Sequence, residues 1–95
     1  MTSDLYRRHI IWRRIRSDQA VRYVCFEALH DGRFSVQSCD WYSLPIKRET
    51  IRQHDDQAVE LFIETDPVER NGSFASLAEA IQSFDVNFEN HADFA

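Results

Sequence analysis

The sequence predicts an α+β fold: a three-stranded antiparallel β-meander followed by two α-helices packed on one face of the sheet. Two runs rich in Val, Phe, Tyr and Trp, residues 20–29 and 33–42, flank Asp31-Gly32, the signature of a hairpin. A third β-prone stretch, residues 9–16, precedes them across Ser17-Asp18-Gln19. After Pro45 the apolar period lengthens from two residues to about 3.6. A chain of 95 residues has length for one core, so residues 1–95 are expected to form a single small domain.

The first strand, 9–16, rests on Ile10-Ile11-Trp12, a β-prone triplet. A helical reading competes, because Leu5, Trp12 and Ile15 share a helical stripe. An isolated hairpin is marginal in water and needs a neighbour, which favours the strand.

In the hairpin, a three-residue loop, His30-Asp31-Gly32, sets Val24, Phe26, Phe34 and Val36 on one face, whereas a two-residue loop separates them. Gly32 then supplies the left-handed position of a bulged type I turn. This register places Leu29 opposite Arg33, Cys25 opposite Gln37 and Cys39 opposite Tyr23. The thiols are then diagonal neighbours roughly 7–8 Å apart, poorly placed for a disulfide. They are expected to be free and to pack as small hydrophobes.

Ile51, Ala58, Leu61 and Phe62 mark one face of a helix over 48–64, which Pro67 ends. Asn71-Gly72-Ser73 reads as the turn to the next helix. Ser76 and Glu79 form a capping box that opens a helix over 76–86, with Leu77, Ile81 and Phe84 at i, i+4 and i+7. The tail 87–95 has no clear period and is expected to fray, with Phe88 and Phe94 able to tuck in.

The even-numbered sheet face, with Ile10, Trp12, Val24, Phe26, Ala28, Phe34 and Val36, is expected to be the core face under both helices. The odd-numbered face carries Ile11, Ile15, Val21, Tyr23, Cys25, Leu29, Cys39 and Trp41, too apolar for ordinary solvated alternation. A segment of the chain, a second copy or a different partner would cover it. From this face come the expected partner-binding residues. Ile11, Ile15, Tyr23 and Trp41 anchor the contact, and Arg13 and Arg33 orient it.

Charge is unevenly spread. Residues 1–24 hold six Arg against Asp4 and Asp18, a net of +4, while residues 55–95 hold ten acidic residues against Arg70, a net of −9. Two alternatives follow. The acidic surface of Asp55, Asp56, Glu60 and Glu64 could imitate a nucleic-acid backbone. The Arg-rich first strand, with its aromatic residues, could bind single-stranded nucleic acid. A net charge of −5 over the whole chain makes nucleic acid the weaker expectation.

With 43% hydrophobic and 28% charged residues, the composition excludes disordered and low-complexity classes. No apolar run approaches the length of a membrane span, and no signal-peptide core opens the chain. Two cysteines cannot make a disulfide scaffold, so a cytoplasmic location is expected. His30-Asp31 and His54-Asp55-Asp56 lack the spacing of a metal site. Glu60 and Glu64 lie on one helical face without a pocket to separate their pKa values. Two glycines leave no phosphate loop. The expectation is a small non-catalytic protein, without cofactor or metal, that binds another protein or a second copy of itself.

Overall fold

The computed structural model describes residues 5–91, with side chains through residue 87. Three antiparallel strands, β1 (Tyr6–Arg16), β2 (Gln19–Ala28) and β3 (Arg33–Ser43), form a sheet of order β1-β2-β3. Three helices follow: α1 (Arg48–Glu64), α2 (Pro67–Asn71) and α3 (Leu77–His91). The α+β class and the strand-then-helix order are as the sequence predicts.

The β2–β3 hairpin departs from expectation in two linked ways. Ala28 pairs with Arg33, so the loop has four residues, Leu29 to Gly32, rather than three. Gly32 sits at φ 68, and its N–H donates to the Ala28 carbonyl across 2.7 Å. Asp31 Oδ1 accepts from the Arg33 N–H. Further along, Tyr23 pairs with Cys39 and Val24 with Ser38, but Cys25 pairs with Val36. Gln37 is thus the extra residue of a β-bulge.

One extra residue reverses the alternation of β3. Phe34 and Val36 therefore lie on the face of Tyr23 and Cys25, not with Val24 and Phe26 as the sequence reading expected. Cys25 faces Val36 instead of Gln37, while Cys39 opposite Tyr23 is as expected. Both thiols are free.

The helices divide between the two faces rather than sharing one. On the even face of β2, α1 packs Phe62 against Phe26 at 4.5 Å between centroids, and His54 against Tyr42 at 5.1 Å. Tyr6 stands edge-on to Phe26 and Phe62 and donates to Asp66 at 3.0 Å, pinning the start of β1. On the odd face, Ala80 and Phe84 of α3 close the core over Val21, Tyr23, Cys25 and Val36. Ile11, Phe34, Cys39, Phe74, Leu77 and Ile81 pack around it. The centre of the second apolar face is therefore covered by the chain itself, while Ile15, Leu29 and Trp41 towards its ends stay exposed. The middle strand, sandwiched between both layers, is buried from Val21 to Phe26.

The short helix α2 carries the chain round the outer edge of β3. Pro67 does not simply stop α1. It occupies the first turn of α2, with Asp66 as N-cap accepting from the Val68 N–H at 2.8 Å. Asn71 Nδ2 donates to the Val36 carbonyl at 2.6 Å, and Arg70 Nε to the Gln37 carbonyl at 3.2 Å. Phe34 and Phe74 exchange two backbone hydrogen bonds of 2.8 Å. Gly72 turns the chain at φ 82, consistent with the predicted Asn71-Gly72-Ser73 turn.

Ser76 Oγ accepts from the Glu79 N–H at 3.1 Å, capping α3 as expected. That helix continues to His91, beyond the predicted end at 86. Residues 87–91 are thus helical rather than frayed, while residues 92–95 and the side chains of Phe88 and Phe94 lie outside the described residues.

Candidate interaction surface

The sheet end bearing the β1–β2 turn has a cleft on each face, separated by the last residues of β1. On the α3 side, a cleft of about 200 Å³ is lined by Arg13, Ile15, Val21, Tyr23, Cys39, Trp41, Phe84 and Asp85. It gathers four of the six residues that the sequence analysis singled out: Arg13, Ile15, Tyr23 and Trp41. The others lie elsewhere. Ile11 packs against the buried core. Arg33, at the opposite end of the sheet, donates to the Ser73 hydroxyl at 3.2 Å and the Ser73 carbonyl at 3.1 Å.

Within this cleft Tyr23 is floor rather than contact surface. It is buried, and its hydroxyl donates to Asp85 Oδ1 at 2.7 Å. Arg13 lies over the Tyr23 ring at 5.5 Å and pairs with Asp85 Oδ2 at 2.9 Å. Burial and the Asp85 hydrogen bond push the Tyr23 phenol well above its ordinary range. Burial pushes both thiols up to about 12, so neither Cys25 nor Cys39 carries thiolate character near neutrality.

The larger cleft, about 380 Å³, lies on the α1 side and was missed by the sequence reading. Trp12, Tyr42, Leu44, Ile46 and Ile51 supply its apolar walls, and Arg14 and Arg16 stand at its rim. Trp12 leans on Tyr42 at 5.6 Å. The signal that could have found it is Leu44-Pro45-Ile46, an apolar linker between strand and helix.

Arg22 underlies this cleft as a buried charge. It hydrogen-bonds Asp40, its cross-strand partner, at 3.1 Å and Asp55 of α1 at 2.8 Å, with its guanidinium 5.4 Å from the Tyr42 ring. Burial opposes the Arg22 charge, but the hydrogen bonds to Asp40 and Asp55 outweigh it and raise the pKa. Burial likewise raises the Tyr42 phenol.

Five large apolar side chains remain open at this sheet end: Trp12 (57% exposed), Ile15 (39%), Trp41 (38%), Leu44 (62%) and Ile46 (45%). Arg13, Arg14 and Arg16 stand among them. Among the described residues, Arg8, Arg14 and Arg16 meet no carboxylate, whereas Arg7 lies 3.8 Å from Glu27.

The acidic residues of α1 split. Asp55 turns to Arg22, while Asp56, Glu60 and Glu64 form an exposed stripe at i, i+4 and i+8. Among the described residues, no three His, Cys, Asp or Glu gather as a metal site, and no helix is long and apolar enough to cross a membrane. The chain matches no family model, no curated protein and no solved structure.

Proposed function

We propose that this protein is a non-catalytic binding module that engages another protein through the sheet end where both clefts open. The observation that supports it is the cluster of Trp12, Ile15, Trp41, Leu44 and Ile46, left exposed around Arg13, Arg14 and Arg16. Monomeric proteins rarely leave apolar patches open without use, and Trp with Arg is the pairing enriched at interface centres. The residues in this reading are Arg13, Ile15 and Trp41 from the α3-side cleft, joined by Trp12, Arg14 and Arg16. Tyr23 supports the site from below.

The test is recovery of the partner from the native source, followed by titration of the two purified proteins. The double variant Trp12→Ala with Trp41→Ala, its fold checked by circular dichroism, is expected to lose at least about tenfold in affinity, or 1.4 kcal/mol. A folded variant that keeps wild-type affinity overturns the reading.

A second reading, single-stranded nucleic acid, draws on Trp12 beside Arg8 and Arg14, which share the even face of β1. Against it stand the net charge of −5 and the exposed Asp56, Glu60 and Glu64 stripe, which repel a long polyanion.

A further inference from the structure

We infer that the outer edge of β1 is the docking edge for an extended acidic segment of the partner protein, which adds to the sheet as a strand beside β1. This rests on the protein-binding reading and deepens it by naming the partner's chemistry.

The edge argument starts from backbone geometry. β1 and β3 are the outer strands of the sheet. Along Phe34 to Gln37 the outer side of β3 is occupied by Phe74, Asn71 and Arg70, which leaves β1 as the longer open edge among the described residues. No described strand pairs with the outer side of β1. The Leu29 N–H donates to the Leu5 carbonyl, and Tyr6 pairs with Ala28. In this antiparallel ladder, odd-numbered residues of β1 therefore direct their backbone groups to β2. Arg8, Ile10, Trp12 and Arg14 direct theirs outward. An edge of this length is a template for strand addition.

Charge then selects the occupant. Five of the eleven residues of β1 are Arg. A second copy pairing antiparallel with full overlap, Tyr6 opposite Arg16, sets Arg8 against Arg14. Shifting the register by one pair sets Arg7 against Arg13. Like charges directly opposite each other disfavour both arrangements. An acidic strand reverses the sign of every one of these pairs. Opposite Arg14, Arg13, Trp12, Ile11, Ile10, His9, Arg8 and Arg7, the complementary order is two acidic residues, three apolar residues, one neutral residue and two acidic residues. The apolar centre then lies beside the exposed Trp12.

The test uses the full chain and a synthetic peptide, Asp-Asp-Val-Ile-Val-Thr-Glu-Glu, read by amide hydrogen exchange and tryptophan fluorescence. The Arg8, Ile10, Trp12 and Arg14 amides should exchange freely in the protein alone and at least tenfold more slowly with peptide. N-methylation of the third and fifth peptide residues should abolish binding, while N-methylation of the fourth and sixth should leave it, because alternate amides face β1. Lys in place of the four acidic residues should also abolish it.

Binding that perturbs the tryptophans without protecting these amides overturns strand addition and leaves the protein-binding reading standing. Protection already present in the protein alone, with a mass that rises with concentration, assigns the edge to a second copy and overturns the proposal. Tighter binding of a single-stranded oligonucleotide than of the peptide overturns it, as does absence of peptide binding.

Discussion

The hydroxyl of Tyr23, on the central strand, donates to Asp85 of α3 across 2.7 Å, and the other carboxylate oxygen of Asp85 takes Arg13 at 2.9 Å. This one carboxylate ties α3 to both β2 and β1. It makes Tyr23 a clamp between layers, with the Phe84 ring edge-on beside it at 6.2 Å. Tyr23→Phe should cost about 1.5 kcal/mol, because Asp85 keeps Arg13 when the phenol is lost. Tyr23→Ala should cost about 3–5 kcal/mol, as for other large buried aromatics. Urea unfolding checks both, with a lowered midpoint and an unchanged slope.

Removal of the buried cation should be more costly than removal of its exposed partner. Arg22→Met leaves Asp40 largely buried without its partner and should destabilise the fold by about 3 kcal/mol. Asp55 is 56% exposed, so Asp55→Asn should cost less than about 1 kcal/mol. Equal losses in thermal unfolding would contradict this account of the pair.

The thiols give the alkaline limb of stability its sign. Cys25 and Cys39 are held up to about 12 by burial, with negative neighbours adding to it, from an unfolded value near 9. A raised acid pKa means that the folded state binds the proton more tightly. The contribution is complete below about pH 9 and is lost as pH rises towards about 12. Denaturant unfolding from pH 8 to 11 should show stability falling across that window, and Cys25→Ala with Cys39→Ala should flatten the fall. At pH 8 both thiols should resist disulfide reagents until the protein unfolds.

The exposed acidic stripe should be dispensable for folding. Glu60→Lys with Glu64→Lys should change stability by less than about 0.5 kcal/mol, since both side chains are solvated. The complex proposed to form through Trp12 and Trp41 should also survive it. Loss of that complex in the doubly reversed variant would favour the backbone-mimic role for Asp56, Glu60 and Glu64.

The tryptophans of the proposed surface should separate binding from folding. In thermal unfolding, Trp41→Ala alone should cost less than the about 3–5 kcal/mol of a fully buried aromatic, because the ring is partly solvated. Titration of the purified partner should nonetheless weaken. A large loss of stability would place Trp41 in the core instead.

Strands, hairpin and both long helices were legible because their signals are local. Alternation of Val, Phe and Tyr around Asp31-Gly32 specifies strands, the repeat of Leu77, Ile81 and Phe84 specifies a helix, and Ser76 marks its start. Asp66-Pro67, an N-cap followed by a first-turn proline, was equally local, and it signalled α2 as much as the end of α1. The shared face of Arg13, Ile15 and Trp41 in the proposed surface was legible too, since alternation puts them together once Arg13 and Trp41 both pair with Val21.

What tertiary structure alone decided follows from Gln37. Its amide donates to the Ala58 carbonyl of α1, while its own carbonyl takes Arg70 of α2. These partners lie 21 and 33 residues away in the chain. They hold the bulge, and with it the face on which Phe34 and Val36 lie. Once α2 has carried the chain round the β3 edge, α3 lies over Tyr23 and Cys25, and of the three covers the sequence left open for that face the chain itself supplies the one over its centre. Periodicity determined which residues form each strand and helix, because it is set by backbone geometry over a few residues. The faces and their covers were decided by hydrogen bonds between distant segments, which form only when the layers meet.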